Sequence, residues 1–236
     1  MTDADIVNAL AGAIRNRDSF PAMPSDLTLE EGYAIQKQVV AEVADGSIAG
    51  WKAGMTAPAG QAAFGLKHPL IGSLYAWGRL DNGATVDMVP GVKLECEIGI
   101  TIDTNGNALS AGPVIEVPRM MWNSPDDAKG ANLTATNIAA YHYIVGEQQP
   151  IRDDYAELSV TLTRDGELVC EASLADALGG PIPALEWMLN EASVRDMSPS
   201  DGMLLITGAC GGIHDGEPGS YVADYGPLGT IEFTIQ

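Results

Sequence analysis

The N-terminal part of the chain carries apolar side chains at helical spacing. A first helix, with Asp3 or Asp5 as its cap, is predicted from the four-residue spacing of Ile6, Leu10 and Ile14. Thr28 and Glu31 have the spacing of a capping box and predict the start of a second helix, which stops at Gly46. The periodic face of that helix continues through Leu29, Tyr33, Gln36, Val40 and Val43.

From about Ile48 onward the pattern changes to short apolar runs separated by glycines. Such a pattern predicts strands joined by tight turns. Asn105-Gly106 and Asp165-Gly166 each lie between two alternating segments and predict two-residue hairpin turns. One later helix is predicted over residues 181–192, and three short strands are predicted between residues 203 and 235.

These elements make the expected fold class α+β. A small helical N-terminal part, residues 1–80, is expected to pack on a larger β-rich body, residues 81–236. No internal repeat, low-complexity segment or linker tract interrupts the 236 residues. The chain is therefore expected to be ordered nearly throughout.

The charge balance narrows the classes of partner. Twelve Lys and Arg residues against 32 Asp and Glu residues give a net charge of −20. This surface repels nucleic acids and anionic membranes, so neither is an expected partner. An anionic substrate would need a local positive centre, which a divalent cation would supply.

Cysteine usage and the N-terminus indicate the compartment. Cys96, Cys170 and Cys210 are far apart and lack metal-ligand spacing, so we expect reduced thiols, without a disulfide framework or a zinc site. The acidic N-terminus differs from a secretory signal, and no apolar run approaches the roughly 18 residues of a membrane span. The sequence thus predicts a soluble cytoplasmic protein.

Two glutamates share one face of a strand predicted at residues 92–100. Side chains alternate between the faces of a strand, so Glu95 and Glu97 project together, away from Cys96. A solvated strand face would by itself explain this pattern. Glu116 changes the interpretation, because apolar neighbours on both sides predict a strand covered on both faces. A carboxylate there must be neutral, paired or bound to a metal.

If the three carboxylates converge, they form an all-oxygen site, which suits Mg²⁺ or Mn²⁺ rather than zinc. A 2-oxo acid would complete the coordination through its carboxylate and its keto or enol oxygen, and the ion would stabilise a dienolate. Lys52 is flanked by small and apolar residues. It either extends to the surface or lies beside this site, where it would orient the substrate or donate a proton.

Five segments of the chain resemble the fumarylacetoacetate hydrolase superfamily, on its branch of 2-keto-4-pentenoate hydratases and 4-oxalocrotonate decarboxylases. They occur in the same order and at similar spacing, and they span most of the chain. No single segment is specific for this family, but five segments in the same order and at similar spacing are. The segments are Gly50 to Thr56, the pair Glu95 and Glu97, the strand around Glu116, Leu178 to Pro181 with Trp187, and Leu204 to Gly208.

The resemblance implies a distorted β-barrel or β-roll body, with Mg²⁺ or Mn²⁺ held by Glu95, Glu97 and Glu116 and with Lys52 in the pocket. Residues 81–236 would then be the metal-binding catalytic body. It also implies a homo-oligomeric hydro-lyase or carboxy-lyase of aromatic catabolism. Its substrates would be small unsaturated 2-oxo acids, converted through a metal-stabilised dienolate.

Two positions depart from the family pattern. Leu70 stands where an aspartate that shuttles a proton is usual, and Ala139 and Ala140 stand where a pocket serine is common. These departures leave the general acid or base unassigned. His68, beside the first departure, is the candidate replacement because its pKa suits proton transfer, although a surface or hydrogen-bonded loop histidine is the alternative interpretation.

Arg119 and Thr207 are the candidate substrate-binding residues. Arg119 follows Glu116 by three residues and would pair with a substrate carboxylate, or with one of the many acidic side chains. Thr207 lies in the last segment that matches the family.

Two other functions stay open. The first is hydrolysis of a C–C bond in an acylpyruvate, as in other members of the superfamily, although the sequence offers no convincing Glu/His pair to activate water. The second is a non-catalytic subunit that keeps the metal site for assembly or ligand binding. Turnover of a 2-oxo acid that stops with EDTA would separate an enzyme from this last alternative.

Overall fold

The structure, a computed structural model, describes residues 2–236, and two helices open it: α1 (Asp3–Asn16) and α2 (Leu29–Val43). The prediction that Asp3 or Asp5 caps α1 is wrong. The hydroxyl of Thr2 accepts a hydrogen bond from the main chain of Asp5, whose carboxylate accepts one from the main chain of Thr2. The same arrangement between Thr28 and Glu31 confirms the predicted capping box of α2.

The remaining elements are three helices and two sheets. The helices are α3 (Pro58–Ala63), α4 (Gly130–Ala135) and α5 (Pro181–Val194). The strands are β1 (Ile48–Gly54), β2 (Leu70–Tyr75), β3 (Arg79–Asp81), β4 (Thr85–Val86), β5 (Lys93–Ile102), β6 (Ala108–Val117), β7 (His142–Val145), β8 (Ser159–Arg164), β9 (Glu167–Ser173), β10 (Met203–Ile206), β11 (Cys210–Asp215), β12 (Gly219–Asp224) and β13 (Thr230–Ile235).

The larger sheet has eight strands in the order β2-β1-β10-β5-β6-β7-β3, with β11 paired to β5 beyond the end of β10. It is mixed, because β1 runs parallel to β10 and β3 runs parallel to β7. The smaller sheet has five strands in the order β4-β13-β12-β8-β9. The larger sheet is curled into half a barrel, which confirms the predicted α+β class with a distorted barrel body.

Of the two predicted two-residue hairpin turns, one is confirmed and the other is wrong. Asp165 and Gly166 both have positive φ and join β8 to β9 as the predicted two-residue turn. Asn105 instead lies in a longer loop, residues 103–107, because the carboxylate of Asp103 accepts main-chain hydrogen bonds from Asn105 and Asn107. Four strands, not the predicted three, follow α5.

The helices cover the sheets from several sides. α2 packs on α1 and α4, and α5 lies across β1, β2 and β5. The predicted boundary near residue 80, between an N-terminal part and a β-rich body, stays a prediction. The strands β1 and β2, which precede this boundary, lie in the same sheet as β5 and β6, which follow it. Among the residues that the structure describes, no helix is long and apolar enough to cross a membrane.

Candidate metal centre

Three carboxylates meet on the concave side of the larger sheet. Glu95 on β5 lies directly opposite Glu116 on β6, and Glu97 lies two residues farther along β5 on the same face. One oxygen from each of the three lies within 4.8 Å of the others. Glu97 and Glu116 are fully buried, so the alternative of a solvated strand face is wrong.

Lys52 joins this cluster from another part of the sheet. It lies on β1, which β10 and β5 separate from β6, yet its ammonium donates a hydrogen bond to Glu116 Oε1. Side chains stand roughly perpendicular to a sheet, so this contact requires the strands to curve towards a common axis. Lys52 is buried, with 1% of its surface exposed, and the alternative that it extends to the surface is wrong.

The carboxylate oxygens divide into partnered and unpartnered atoms. Glu116 Oε1 accepts from Lys52, and Glu97 Oε2 accepts from the main-chain N–H of Gly208 at 2.7 Å. Glu97 Oε1 and Glu116 Oε2 are buried without a hydrogen-bond partner. Unpartnered buried oxygens are costly, and a cation among them would compensate them. The site thus fits a divalent ion, because a cation at these oxygens would stabilise the ionised form of the three carboxyl groups.

Electrostatics within the cluster point the same way. Burial first, and then the neighbouring Glu116 carboxylate, raise the pKa of Glu95 to about 8. Burial, Glu116 and Glu95 together raise the pKa of Glu97 well above its usual range. Burial alone would lower the pKa of Lys52, but Glu116 and the other glutamates raise it by more, so the ammonium stays charged.

A left-handed segment, residues 137–139, supplies the second partner of Lys52. Asn137, Ile138 and Ala139 all have positive φ, at 58°, 53° and 53°. The carbonyl of Ile138 accepts a hydrogen bond from Lys52 Nζ at 3.1 Å. A β-branched residue in this region is strained, and such strain persists only where surrounding contacts impose it.

Asn137 provides those contacts. Its Oδ1 accepts from the main-chain N–H of Ser73, and its Nδ2 donates to the carbonyl of Ser73, both at 2.8 Å. The side chain thus fastens the left-handed segment to β2. This role of Asn137 was not predicted from the sequence. The only local indication of it is that asparagine tolerates positive φ.

A cavity of about 270 Å³ opens beside the carboxylates. Its size suits a small acid rather than a large cofactor. Lys52, Glu95 and Thr56 provide its charged and polar side chains, while Glu97 and Glu116 lie behind them. Most of the remaining wall is apolar, from Met55, Phe64, Met120, Leu133, Ile138 and Ile213.

Three candidates from the sequence lie elsewhere. His68 is exposed and lines a separate depression with Lys67 and Lys129, and its role as the acid or base stays a prediction. The guanidinium of Arg119 donates to the carbonyls of Arg17 and Asp18, which ties the end of α1 to the body. Its guanidinium is therefore occupied by these carbonyls, and its contact with a substrate carboxylate stays a prediction.

Thr207 has a structural contact of its own. Its hydroxyl donates to the carbonyl of Ile98 at 2.9 Å, and it does not line the cavity. Its neighbour Gly208 makes the useful contact, with Glu97. Gly208 has a φ of 103°, and a Cβ there would lie 2.5 Å from Thr56, so a glycine is required at this position.

The positions that depart from the family pattern also have defined surroundings. Leu70 is fully buried on β2 and does not line the cavity, whereas Ala139 lines it as part of the left-handed segment. An apolar wall therefore stands at residue 139, where a hydroxyl was the usual pattern.

Comparison with known proteins gives one clear group of relatives. No family model matches the chain. The chain is similar to the 2-keto-4-pentenoate hydratase of Burkholderia vietnamiensis, at 25% identity over 100% of this chain and 99% of that protein. It is also similar to the 4-oxalocrotonate decarboxylase of Pseudomonas sp. strain CF600, at 25% identity over 86% of each.

A solved structure has the same fold over the whole chain. The 4-oxalocrotonate decarboxylase from Pseudomonas putida G7, complexed with magnesium and adipate, superposes with a TM-score of 0.87 and 21% identity over 100% of this chain and 99% of that one. The resemblance drawn from the five segments is confirmed. The fold is that of the fumarylacetoacetate hydrolase superfamily.

Proposed function

We propose that this chain, a homologue of the 2-keto-4-pentenoate hydratases and 4-oxalocrotonate decarboxylases, is a divalent-metal-dependent lyase of small unsaturated 2-oxo acids. The observation that carries this function is the meeting of Glu95, Glu97 and Glu116 with Lys52 at a cavity of about 270 Å³. The full-length similarity to enzymes of both reactions supports a hydratase-like or decarboxylase-like lyase.

Magnesium or manganese is the ion that we propose for the three glutamates. Oxygen-only ligands favour hard cations, and both Glu97 and Glu116 keep one buried oxygen free. When bound, the ion would polarise the 2-oxo group and stabilise the negative charge of the enolate. Glu116 and Glu97 are held in place by Lys52 and Gly208, so the ligands are preorganised.

Lys52 would bind and orient the substrate. An ammonium has three hydrogens, of which Glu116 Oε1 and the carbonyl of Ile138 accept two. The third can reach the cavity that Lys52 lines, where it would hold the substrate carboxylate or deliver a proton to an enol oxygen. Since its ammonium already donates to Glu116 Oε1 and to the carbonyl of Ile138, Lys52 would act towards the substrate as a hydrogen-bond donor.

The surrounding wall would keep bulk water away from the reacting carbons. Phe64, Met120 and Ile138 line the cavity together with other apolar side chains. Exclusion of water strengthens the electrostatic contacts inside a site and limits side reactions. Whether the enzyme hydrates or decarboxylates its substrate would then depend on which water molecule and which proton donor can reach the reacting carbons.

The remaining features of this function are proposals about its setting. We propose a cytoplasmic homo-oligomer that serves in the degradation of aromatic compounds, as the resemblance implies. Light scattering on the purified protein tests the oligomer. A molar mass equal to the 24.7 kDa of one chain would contradict it.

The test of the function is turnover with a defined panel. The protein is incubated with Mg²⁺ and 2-hydroxydienoates, oxalocrotonates or acylpyruvates, and the ultraviolet absorbance of each is followed with and without EDTA. Loss of a dienoate or oxalocrotonate that EDTA stops is the expected result, and oxalate is expected to inhibit it. Turnover of acylpyruvates alone would establish the hydrolase instead, and metal-dependent binding without turnover would establish the non-catalytic alternative.

A further inference from the structure

The cavity beside the carboxylates has charge at one end only. Lys52 and Glu95 line that end, and the ammonium of Lys52 is already paired with Glu116. The rest of the wall is mainly apolar, from Met55, Phe64, Met120, Leu133, Ile138 and Ile213. A substrate whose 2-oxo acid group lies at the charged end must therefore direct its other end towards apolar side chains.

Of the 12 basic residues, all of which the structure describes, Lys52 alone lines this cavity. Lys93 is the one to consider beside it, since it lies on β5 two residues before Glu95 and shares its face. Its ammonium pairs with Asp215. Arg119 is turned to the carbonyls of Arg17 and Asp18. A second anionic group would therefore have no free cation to meet.

We infer that the preferred substrates are monocarboxylates with an apolar tail, and that dicarboxylates of the same length are rejected. This inference rests on the proposed function, because it assumes that the 2-oxo acid group lies at the carboxylates. A second carboxylate in the far part of the cavity would lose its hydration without gaining a partner, and the net charge of −20 adds repulsion. A methyl or methylene group there would instead gain apolar contacts.

A matched pair of ligands isolates this effect. 2-Oxohexanoate and 2-oxoadipate share a six-carbon chain and a 2-oxo acid group, and they differ only in a terminal methyl or carboxylate. Binding of each is measured by calorimetry in the presence of Mg²⁺, without any need for turnover. We expect 2-oxohexanoate to bind more than about tenfold more tightly. Equal binding, or tighter binding of 2-oxoadipate, would overturn the inference.

Tail length gives a second, graded measurement. Pyruvate, 2-oxobutanoate, 2-oxopentanoate and 2-oxohexanoate differ by one methylene at each step. An apolar wall predicts that affinity rises about three- to fourfold for each methylene that is buried. A flat series would show that the tail does not enter this part of the cavity, and it would contradict the inference.

A charge introduced into the apolar wall should reverse the preference. Met120→Lys keeps an unbranched side chain and places an ammonium in the wall, so 2-oxoadipate should gain about tenfold relative to 2-oxohexanoate. Met121→Lys is the matched control, because Met121 is half-buried like Met120 but does not line the cavity. The inference fails if Met120→Lys folds and leaves the ratio unchanged.

Two further variants cover the cases in which Met120→Lys does not fold or Lys93 changes its partner. If Met120→Lys does not fold, Ile213→Lys serves instead, because Ile213 is 47% exposed and tolerates a charge. Lys93→Met tests whether Lys93 leaves Asp215 and binds the second carboxylate of a substrate. If it does, this variant would bind 2-oxoadipate more weakly and 2-oxohexanoate unchanged, which would contradict the inference. Failure of the proposed function itself gives a different result, in which no 2-oxo acid binds in the presence of Mg²⁺.

Discussion

Two parts of the site around Lys52 are built on different principles. The three glutamates lie on β5 and β6, two regular strands whose alternation and register fix the direction of each side chain. The left-handed segment, residues 137–139, depends on three consecutive non-glycine residues with positive φ. Strand geometry therefore positions the carboxylates locally. The carbonyl of Ile138, which faces Lys52, is instead held by tertiary contacts that impose a positive φ on a β-branched residue.

Replacement of Lys52 should have the largest effect, because Lys52 contacts both parts. Lys52→Met removes the one ammonium that joins Glu116 to the carbonyl of Ile138. We expect kcat to fall by about 10²- to 10⁴-fold, measured with the best substrate of the panel. Lys67→Met, at an exposed residue outside the cavity, is the control. A loss smaller than tenfold would remove Lys52 from the reaction.

Removal of one carboxylate tests the strand-built part. Glu97→Gln keeps the size of the side chain but lowers its charge at a buried oxygen that has no partner. We expect Mg²⁺ affinity, measured by calorimetry, to fall by more than about a hundredfold. The exposed Glu167→Gln on β9 should bind the ion as the unmodified chain does. Equal loss in both variants would mean that general surface charge, rather than this site, attracts the ion.

A pair of substitutions at Asn137 tests the left-handed segment. Asn137→Ala removes both hydrogen bonds to Ser73 and disfavours positive φ, and we expect kcat to fall about tenfold. Asn137→Gly removes the same bonds but tolerates the backbone conformation. Recovery of kcat in Asn137→Gly would assign the effect to conformation, and equal loss would assign it to the amide. An Asn137→Ala variant with unchanged kcat would show that Lys52 does not depend on this segment.

The smallest effect on activity is expected at Arg119. Arg119→Met breaks the contacts with the carbonyls of Arg17 and Asp18, neither of which lines the cavity. We expect the free energy of unfolding, measured with urea, to fall by about 1–3 kcal/mol while kcat/KM changes less than about twofold. A tenfold rise in KM with unchanged stability would restore Arg119 as a substrate-binding residue.

The strand faces of Glu95 and Glu97 and the covered strand of Glu116 could be predicted because they depend on local rules, whereas the convergence of the three stayed conditional. Alternation placed Glu95 and Glu97 on one face, and apolar neighbours on both sides placed Glu116 in a covered strand. The five matching segments then indicated the same ligands and the same fold. Neither step requires knowledge of contacts between distant residues.

The candidates that lie outside the cavity lining are side chains whose direction depends on contacts between distant residues. Spacing along the chain put Arg119 three residues after Glu116, but the end of α1 offers it two carbonyls on another side. His68 lies near β2 in sequence, yet its ring faces a different depression. Asn137 and Ser73 are 64 residues apart, and no periodic pattern relates two such positions.

The place of β10 in the larger sheet has a consequence for synthesis of the chain on the ribosome. β10 (Met203–Ile206) is the only strand that joins β1 to β5 within the sheet that the structure describes. Lys52 emerges early, but it has no route to Glu116 until β10 has left the exit tunnel. A nascent chain arrested before Met203 would therefore lack the contact between Lys52 and Glu116, and this contact would form only late in translation.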